Sequence, residues 1–215
     1  MVDTSGMDKP SCTDCKLRKP MLYIVTACAL DHVKYLPDCN NSVMTLMKML
    51  PFDVDYTVKI DEFGRGSAHI INEVISRVGN DDMFMILDAD DFMLPNIVNL
   101  FHYIEDYDVV YGDRISIGKK TVVERAPEFN RKLLRKQNII PGGCTLMRGS
   151  VLRKWPDIPH GQDWVFWRSI NARFKHVPVM VWVRRSDTST KASKIPVYRK
   201  LRRLYRNYKL RNEKI

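Results

Sequence analysis

Residues 83–91 read MFMILDADD: five apolar side chains in succession, Met83 to Leu87, then three carboxylates within four positions, Asp88, Asp90 and Asp91. A short unbroken apolar run is the pattern of a strand buried on both faces. Its abrupt end in acidic residues sets several negative charges at the mouth of a core. Crowded carboxylates repel one another and lose hydration, and a cation is the simplest compensation. The same residues also suit a polar loop in which Asp91 caps the following helix. Read alone, the stretch leaves metal site and helix cap both open.

The flanking segments supply the context. Met21–Ala27 (MLYIVTA) reads as a first, central strand, and Val54–Ile60 as a second that ends in Asp61–Glu62. Helices are expected over Cys39–Leu50, Ser67–Val78 and from Pro95 to about Glu105, with a fourth strand at Asp108–Tyr111. Strands alternating with helices of this length imply βαβ units: an α/β fold with a mostly parallel central sheet flanked by helices. Ligands of such sheets sit beyond the carboxyl ends of the strands. Thr26–Ala27, Asp61–Glu62 and Asp88–Asp91 all fall there, which favours the metal reading. The second half is less regular. It suggests a hairpin around Gly118–Lys119, a basic helix at Asn130–Gln137, a Pro-Gly-Gly turn at 141–143 leading to a short strand, a helix from Gln162 to Arg173 and a final buried strand at Val177–Val183.

The chain has 215 residues, 45% hydrophobic and 10% aromatic, enough for one domain with a sizeable core. No apolar run approaches the roughly 18 residues of a membrane span, and residues 1–20 lack the apolar centre of a secretory signal. The expectation is a cytoplasmic protein with a flexible leader at 1–20, one folded domain at 21–193 and a basic amphipathic tail helix at 194–215. Cys12 and Cys15 form half a zinc motif that no second pair completes, so a reduced, disordered leader is expected. Net charge is +10, unevenly spread. Residues 1–110 hold 9 Lys+Arg against 18 Asp+Glu, and residues 111–215 hold 26 against 7. A cation-handling first half and an anion-handling second half follow.

The order of these pieces resembles a GT-A fold glycosyltransferase of glycosyltransferase family 2. The residues that carry the resemblance are Thr26-Ala27, Asp61, the helix containing Asn72, ILDADDFMLPN at 86–96, DVVYGD at 108–113, LLRKQNIIPGGCTLMRGSVL at 133–152, GQDWVFW at 161–167 and WVRRSDTSTKAS at 182–193. The resemblance implies transfer of a sugar from a nucleotide-sugar donor, UDP-linked, with Mn2+ or Mg2+ neutralising the diphosphate. It implies that Asp90 ligates the metal, that Asp88 contacts the ribose or a metal-bound water and shares in metal binding, and that Asp61 hydrogen-bonds the base beside Thr26 and Ala27. Asp163 becomes the base that takes the acceptor's proton, or a cap of its own helix; the two roles are compatible. Trp164 and Trp167 either stack on a sugar or belong to the core. The family's usual Glu-Asp is here Gln162–Asp163. Its late His is absent from RRSDTST, where Arg184, Arg185 or Lys191 would hold the diphosphate and Asp187 is an alternative ligand.

The basic second half points to an anionic acceptor, with Trp164, Trp167, Arg148 and Lys191 as contacts. A hydroxymethylated pyrimidine in DNA, glycosylated by some viral enzymes of this type, is favoured by the +19 half and the Arg/Tyr-rich tail. The competing acceptor is a surface or lipid-linked glycan, with the tail on an anionic membrane. Outside glycosyl transfer stand a metal-dependent nuclease built on Asp88, Asp90 and Asp91, and a non-catalytic nucleic-acid-binding module.

Overall fold

The computed structural model describes residues 19–186. The tail helix at 194–215, Asp187, Lys191 and the leader up to Arg18, with Cys12 and Cys15, lie outside the described residues.

Alternation sets the sheet. Strand β1 (Leu22–Ala29) pairs in parallel with β2 (Val54–Asp61) on one side and with β3 (Met83–Ile86) on the other. Helix α1 (Leu36–Met47) and helix α2 (Ser67–Ile75) make the crossovers. Beyond β3 lie β7 (Leu146–Arg148), antiparallel to its neighbours, then β5 (Val109–Ile117), β8 (Phe174–Arg185) and the two-residue β4 (Phe92–Met93). The strand β6 (Val122–Glu124) folds back on β5 as the expected hairpin. Two short helices, α3 (Arg131–Lys136) and α4 (Gln162–Ser169), complete the second half.

Both faces of the sheet are covered. One face buries Tyr23, Val25, Phe84, Ile86 and Tyr111 against Ile71 and Val74 of α2 and Phe166 and Trp167 of α4. The other buries Leu22, Ile24, Met83, Met85 and Leu87 against Val43 and Leu46 of α1 and Ile97 and Leu100 of a 3-10 segment, Pro95–Tyr103. All four residues of β3 are buried, as a strand with two covered faces requires. The rings of Trp155 and Phe166 lie 4.5 Å apart and those of Phe166 and Trp167 5.1 Å. Such pairs add about 0.5–1.5 kcal/mol beyond the area they bury. Trp167 is therefore core, not a sugar platform.

Several boundaries move. β1 runs two residues past Ala27, because β2 continues beside it to Asp61. β5 reaches Ile117 rather than Tyr111, since β8 accompanies it over the whole length, with register shifts around Asp113. The helix expected from Pro95 is 3-10, and α4 stops at Ser169 rather than Arg173. Asp91 caps no helix: the chain enters β4 directly, and Asp91 Oδ1 accepts the Arg185 backbone N–H of β8 at 3.0 Å. Among the described residues no helix is long and apolar enough to cross a membrane.

Candidate active site

The site lies beyond the carboxyl end of β3. Strict alternation from Met83 would keep Asp88 and Asp90 on one face. Instead the chain turns tightly, Asp91 N–H donating to Asp88 C=O at 3.0 Å, and the three carboxylates part. Asp88 is exposed to the cleft, Asp90 is mostly covered and Asp91 is buried. The surrounding protein raises the Asp88 carboxyl well above its usual range, and the charges of Asp90 and Asp163 add to this; Arg184 and His32 oppose it. Asp91 is pushed up further by its burial and by Asp88 and Asp90. His32 brings Nδ1 to 3.7 Å from Asp90 Oδ1.

Asp163 opens α4. Gly161 precedes it at φ 66, a left-handed conformation that costs glycine little. Asp163 Oδ1 accepts the Trp164 backbone N–H at 2.8 Å and Oδ2 accepts Asn138 Nδ2 at 2.6 Å. The Pro-Gly-Gly turn packs against it: a Cβ on Gly142 would lie 3.0 Å from Asp163 Oδ2. Two residues further on, Cys144 N–H donates to Ile86 C=O at 2.8 Å. That turn therefore ties the end of β3 to Asp163 and brings Asp163 within electrostatic reach of Asp88. Burial raises the Asp163 carboxyl, while the bonds from Trp164 and Asn138 and the charge of Arg114 hold it down; the net direction is upward.

Gln162 is fully engaged by the protein. Its Oε1 accepts Ser67 Oγ at 3.1 Å and Trp155 Nε1 at 3.3 Å, and its Nε2 donates to Ile158 C=O at 2.9 Å. Asn72, on α2, makes a two-way bond with the backbone of Trp155. The amide at 162 thus fastens the start of α4 to the start of α2 on the same face of the sheet. A glutamate there would lack the donor for Ile158.

The remaining expected residues are placed as follows. Thr26 is buried with Oγ1 3.7 Å from Cys39 Sγ and 3.3 Å from the Tyr56 hydroxyl, and Ala27 is half-buried beside it. The Asp61 carboxylate accepts the backbone N–H groups of Arg65 and Gly66 at 3.0 and 2.6 Å, so it shapes the loop it precedes. Arg184 is exposed, and its charge reaches Asp88 and Asp91. Arg185 is spent on structure: it bonds Asp38 and the Asp90 carbonyl and lies over the rings of Tyr35 and Phe92. Trp164 donates Nε1 to Leu134 C=O, with Arg168 over its ring. Arg148 does not join the site. It pairs with Met83 at the far end of β3 and bonds the carbonyls of Ile104 and Glu105. Asn138, His32 and Arg114 are the site residues that sequence reasoning missed. Only the polar Asn138 immediately before an apolar pair and a Pro-Gly-Gly turn offered a signal. Among the described residues no three His, Cys, Asp or Glu side chains gather into a group able to hold a metal unaided.

No family model and no curated protein sequence matches the chain. Solved structures do. S. aureus TarS 1–349 in complex with UDP-GlcNAc superposes with a TM-score of 0.60 at 13% identity, over 86% of this chain and 65% of that one. A second TarS 1–349 structure gives 0.56 at 14% identity, over 78% and 60%. S. aureus TarS gives 0.57 at 14% identity, over 77% and 36%. The chain therefore spans less than two thirds of these proteins. At such identity the likeness is one of fold. The fold is GT-A-like: mixed α/β, with a mostly parallel core sheet.

Proposed function

We propose that the protein is a glycosyltransferase that moves a sugar from a nucleotide-sugar donor, UDP-linked, to an acceptor hydroxyl with inversion. The observation that carries this reading is the pairing, across one cleft of a GT-A-like fold, of a crowded acidic turn with a single well-bonded carboxylate, Asp163. The likeness to a protein bound to UDP-GlcNAc supports the donor class.

The chemistry divides between the two carboxylate groups. The acceptor hydroxyl gives its proton to Asp163 as its oxygen bonds to the anomeric carbon. The bond from that carbon to the diphosphate oxygen breaks, and the nucleoside diphosphate leaves with the electron pair. Approach opposite the leaving group inverts the centre. Asp88 and Asp90 would hold Mn2+ or Mg2+. Such ions are commonly bound through one or two carboxylates plus substrate phosphates, so a three-residue protein cage is not required. When bound, the ion neutralises charge on the departing diphosphate. Arg184 supplies positive charge beside Asp88; Arg185 is already committed to Asp38 and Asp90. The wall formed by β1, β2 and the Asp61 loop receives the nucleoside.

The acceptor side is built from the basic half. Lys132, Arg135 and Lys136 of α3 are exposed only a few residues before Asn138. An anionic acceptor follows, and a hydroxymethylated pyrimidine in DNA is the first to test. A donor screen with Mn2+ that measures nucleotide release, with and without modified duplex DNA, tests both halves of the reading. UDP release accelerated by modified DNA is expected. DNA cleavage with Mg2+ and no release from any nucleotide-sugar would replace this reading with a nuclease. Release without any response to DNA, together with binding to anionic vesicles, would move the acceptor to a membrane-borne glycan.

A further inference from the structure

We infer that Asn138 is the positioning residue that orients the Asp163 carboxylate for proton transfer. The inference rests on the reading of Asp163 as the base. Asn138 lies in the short link between α3 and the Pro-Gly-Gly turn, and its Nδ2 meets Asp163 Oδ2 at 2.6 Å. The amide cannot turn over without loss, because Asn138 Oδ1 accepts the Ile140 backbone N–H at 3.4 Å and fixes the nitrogen toward Asp163. The opposite oxygen, Oδ1, is held by the Trp164 N–H at 2.8 Å. Gly142 lies against the third side: a Cβ there would come within 3.0 Å of Oδ2 and push the carboxylate aside. One donor on each oxygen and backbone against the flank leave the carboxylate a single orientation, with lone pairs remaining for an incoming hydroxyl.

The same bond favours the ionised form. A carboxylate that accepts a hydrogen bond is stabilised relative to its acid, which accepts poorly at the protonated oxygen. The charged groups acting on Asp163 are Arg114 of β5, which draws its titration down, and Asp88 across the cleft, which repels a second negative charge. Without Asn138, desolvation and Asp88 are opposed only by Arg114 and the backbone donors at the start of α4.

Two variants test this. Asn138→Ala removes the donor; Asn138→Asp keeps the shape but replaces the donor with a second carboxyl. Kinetics with a fixed donor and acceptor, donor binding by calorimetry and the titration of Asp163 followed by carboxyl NMR are measured in each. Expected are a fall in kcat of about tenfold to a hundredfold, the scale of a displaced reacting group, with donor KM and affinity unchanged. The acidic limb of the kcat profile and the NMR titration both move to higher pH, further in Asn138→Asp than in Asn138→Ala. That order separates positioning from packing, since the Asp variant is nearly isosteric. Wild-type kcat and unmoved titration in both variants, with Asp163→Asn inactive, would overturn Asn138 alone. Loss of donor binding in both variants would make it scaffold for the donor site instead. Wild-type transfer by Asp163→Asn would overturn the base reading and this role with it.

Discussion

Two regions of the cleft handle negative charge in opposite ways. The turn after β3 packs Asp88, Asp90 and Asp91 into four positions; an Arg185 backbone N–H meets Asp91, and the charges of Arg184 and His32 lie nearby. The start of α4 holds one carboxylate, Asp163, with a donor on each oxygen. The first crowds like charges, which on the proposed reading an added cation would offset. The second needs no such offset and, on the same reading, takes up a proton. Number and spacing of charges, set against number of donors, therefore distinguish the two regions more sharply than the residue type, which is aspartate in every case.

The contrast can be broken most directly at Asp163. Asp163→Asn keeps the Trp164 contact and the shape but cannot accept the acceptor's proton. Transfer should fall by about a hundredfold to ten-thousandfold, while calorimetry with UDP-sugar and Mn2+ should show unchanged donor affinity. Weakened donor binding in this variant would mean that the two regions are one site. The converse experiment is Asp90→Ala. Donor affinity in the presence of Mn2+ should drop at least about tenfold, the lower end of what even outer contacts of metal sites contribute. The difference between affinities with and without Mn2+ should vanish, and wild-type Mn2+ dependence would relocate the metal.

Gln162→Glu sharpens the comparison by making the second region resemble the first. The new charge beside Asp163 disfavours ionisation, and Ile158 loses its donor. Asp163 already titrates above its usual range because it is buried. The base is active when ionised, so activity is present above its titration and is lost as pH falls through it. The variant should move that loss to higher pH, with kcat several-fold down near neutrality and recovering as pH rises. A profile that overlays the wild type would show that Gln162 does not govern Asp163. Smallest is Arg148→Ala, at the far end of β3. Losing the bonds to Ile104 and Glu105 should cost about 1–3 kcal/mol in urea unfolding and leave kcat untouched. A fall in kcat would extend the site beyond the cleft described above.

Much of the first half of the chain was legible because its signals are local. β1 and β3 were marked by apolar runs, β2 by alternation, and the acidic turn by charge density in four residues. Asp163 was singled out from the order of motifs rather than from any contact the sequence displays. What escaped depends on the turn and on pairing between distant segments. The parting of Asp88, Asp90 and Asp91 follows from the chain leaving β3, where period-two alternation no longer applies. The length of β5 is set by β8, some sixty residues later. Arg148 was expected among the acceptor contacts of the basic half; the antiparallel pairing of β7 with β3 instead sets it beside Met83, at the other end of that strand from Asp88. Arg185 looked equivalent to Arg184, yet a single residue decides which of them meets Asp38 and which faces the cleft.

The three residues of β7 have a consequence for how the molecule assembles. Among the described residues, β7 is the strand that joins β3 to β5, with Met83 and Phe84 on one side and Val109 and Val110 on the other. The strands β1, β2 and β3 follow one another in the chain and are complete by Ile86. The partner that ties them to the rest, Leu146–Arg148, emerges from the ribosome only some sixty residues afterwards. During synthesis the apolar edge of β3 that β7 covers is therefore made well before its partner. The acidic residues that immediately follow it, besides any catalytic duty, place like charges beside that edge and discourage it from pairing with another copy.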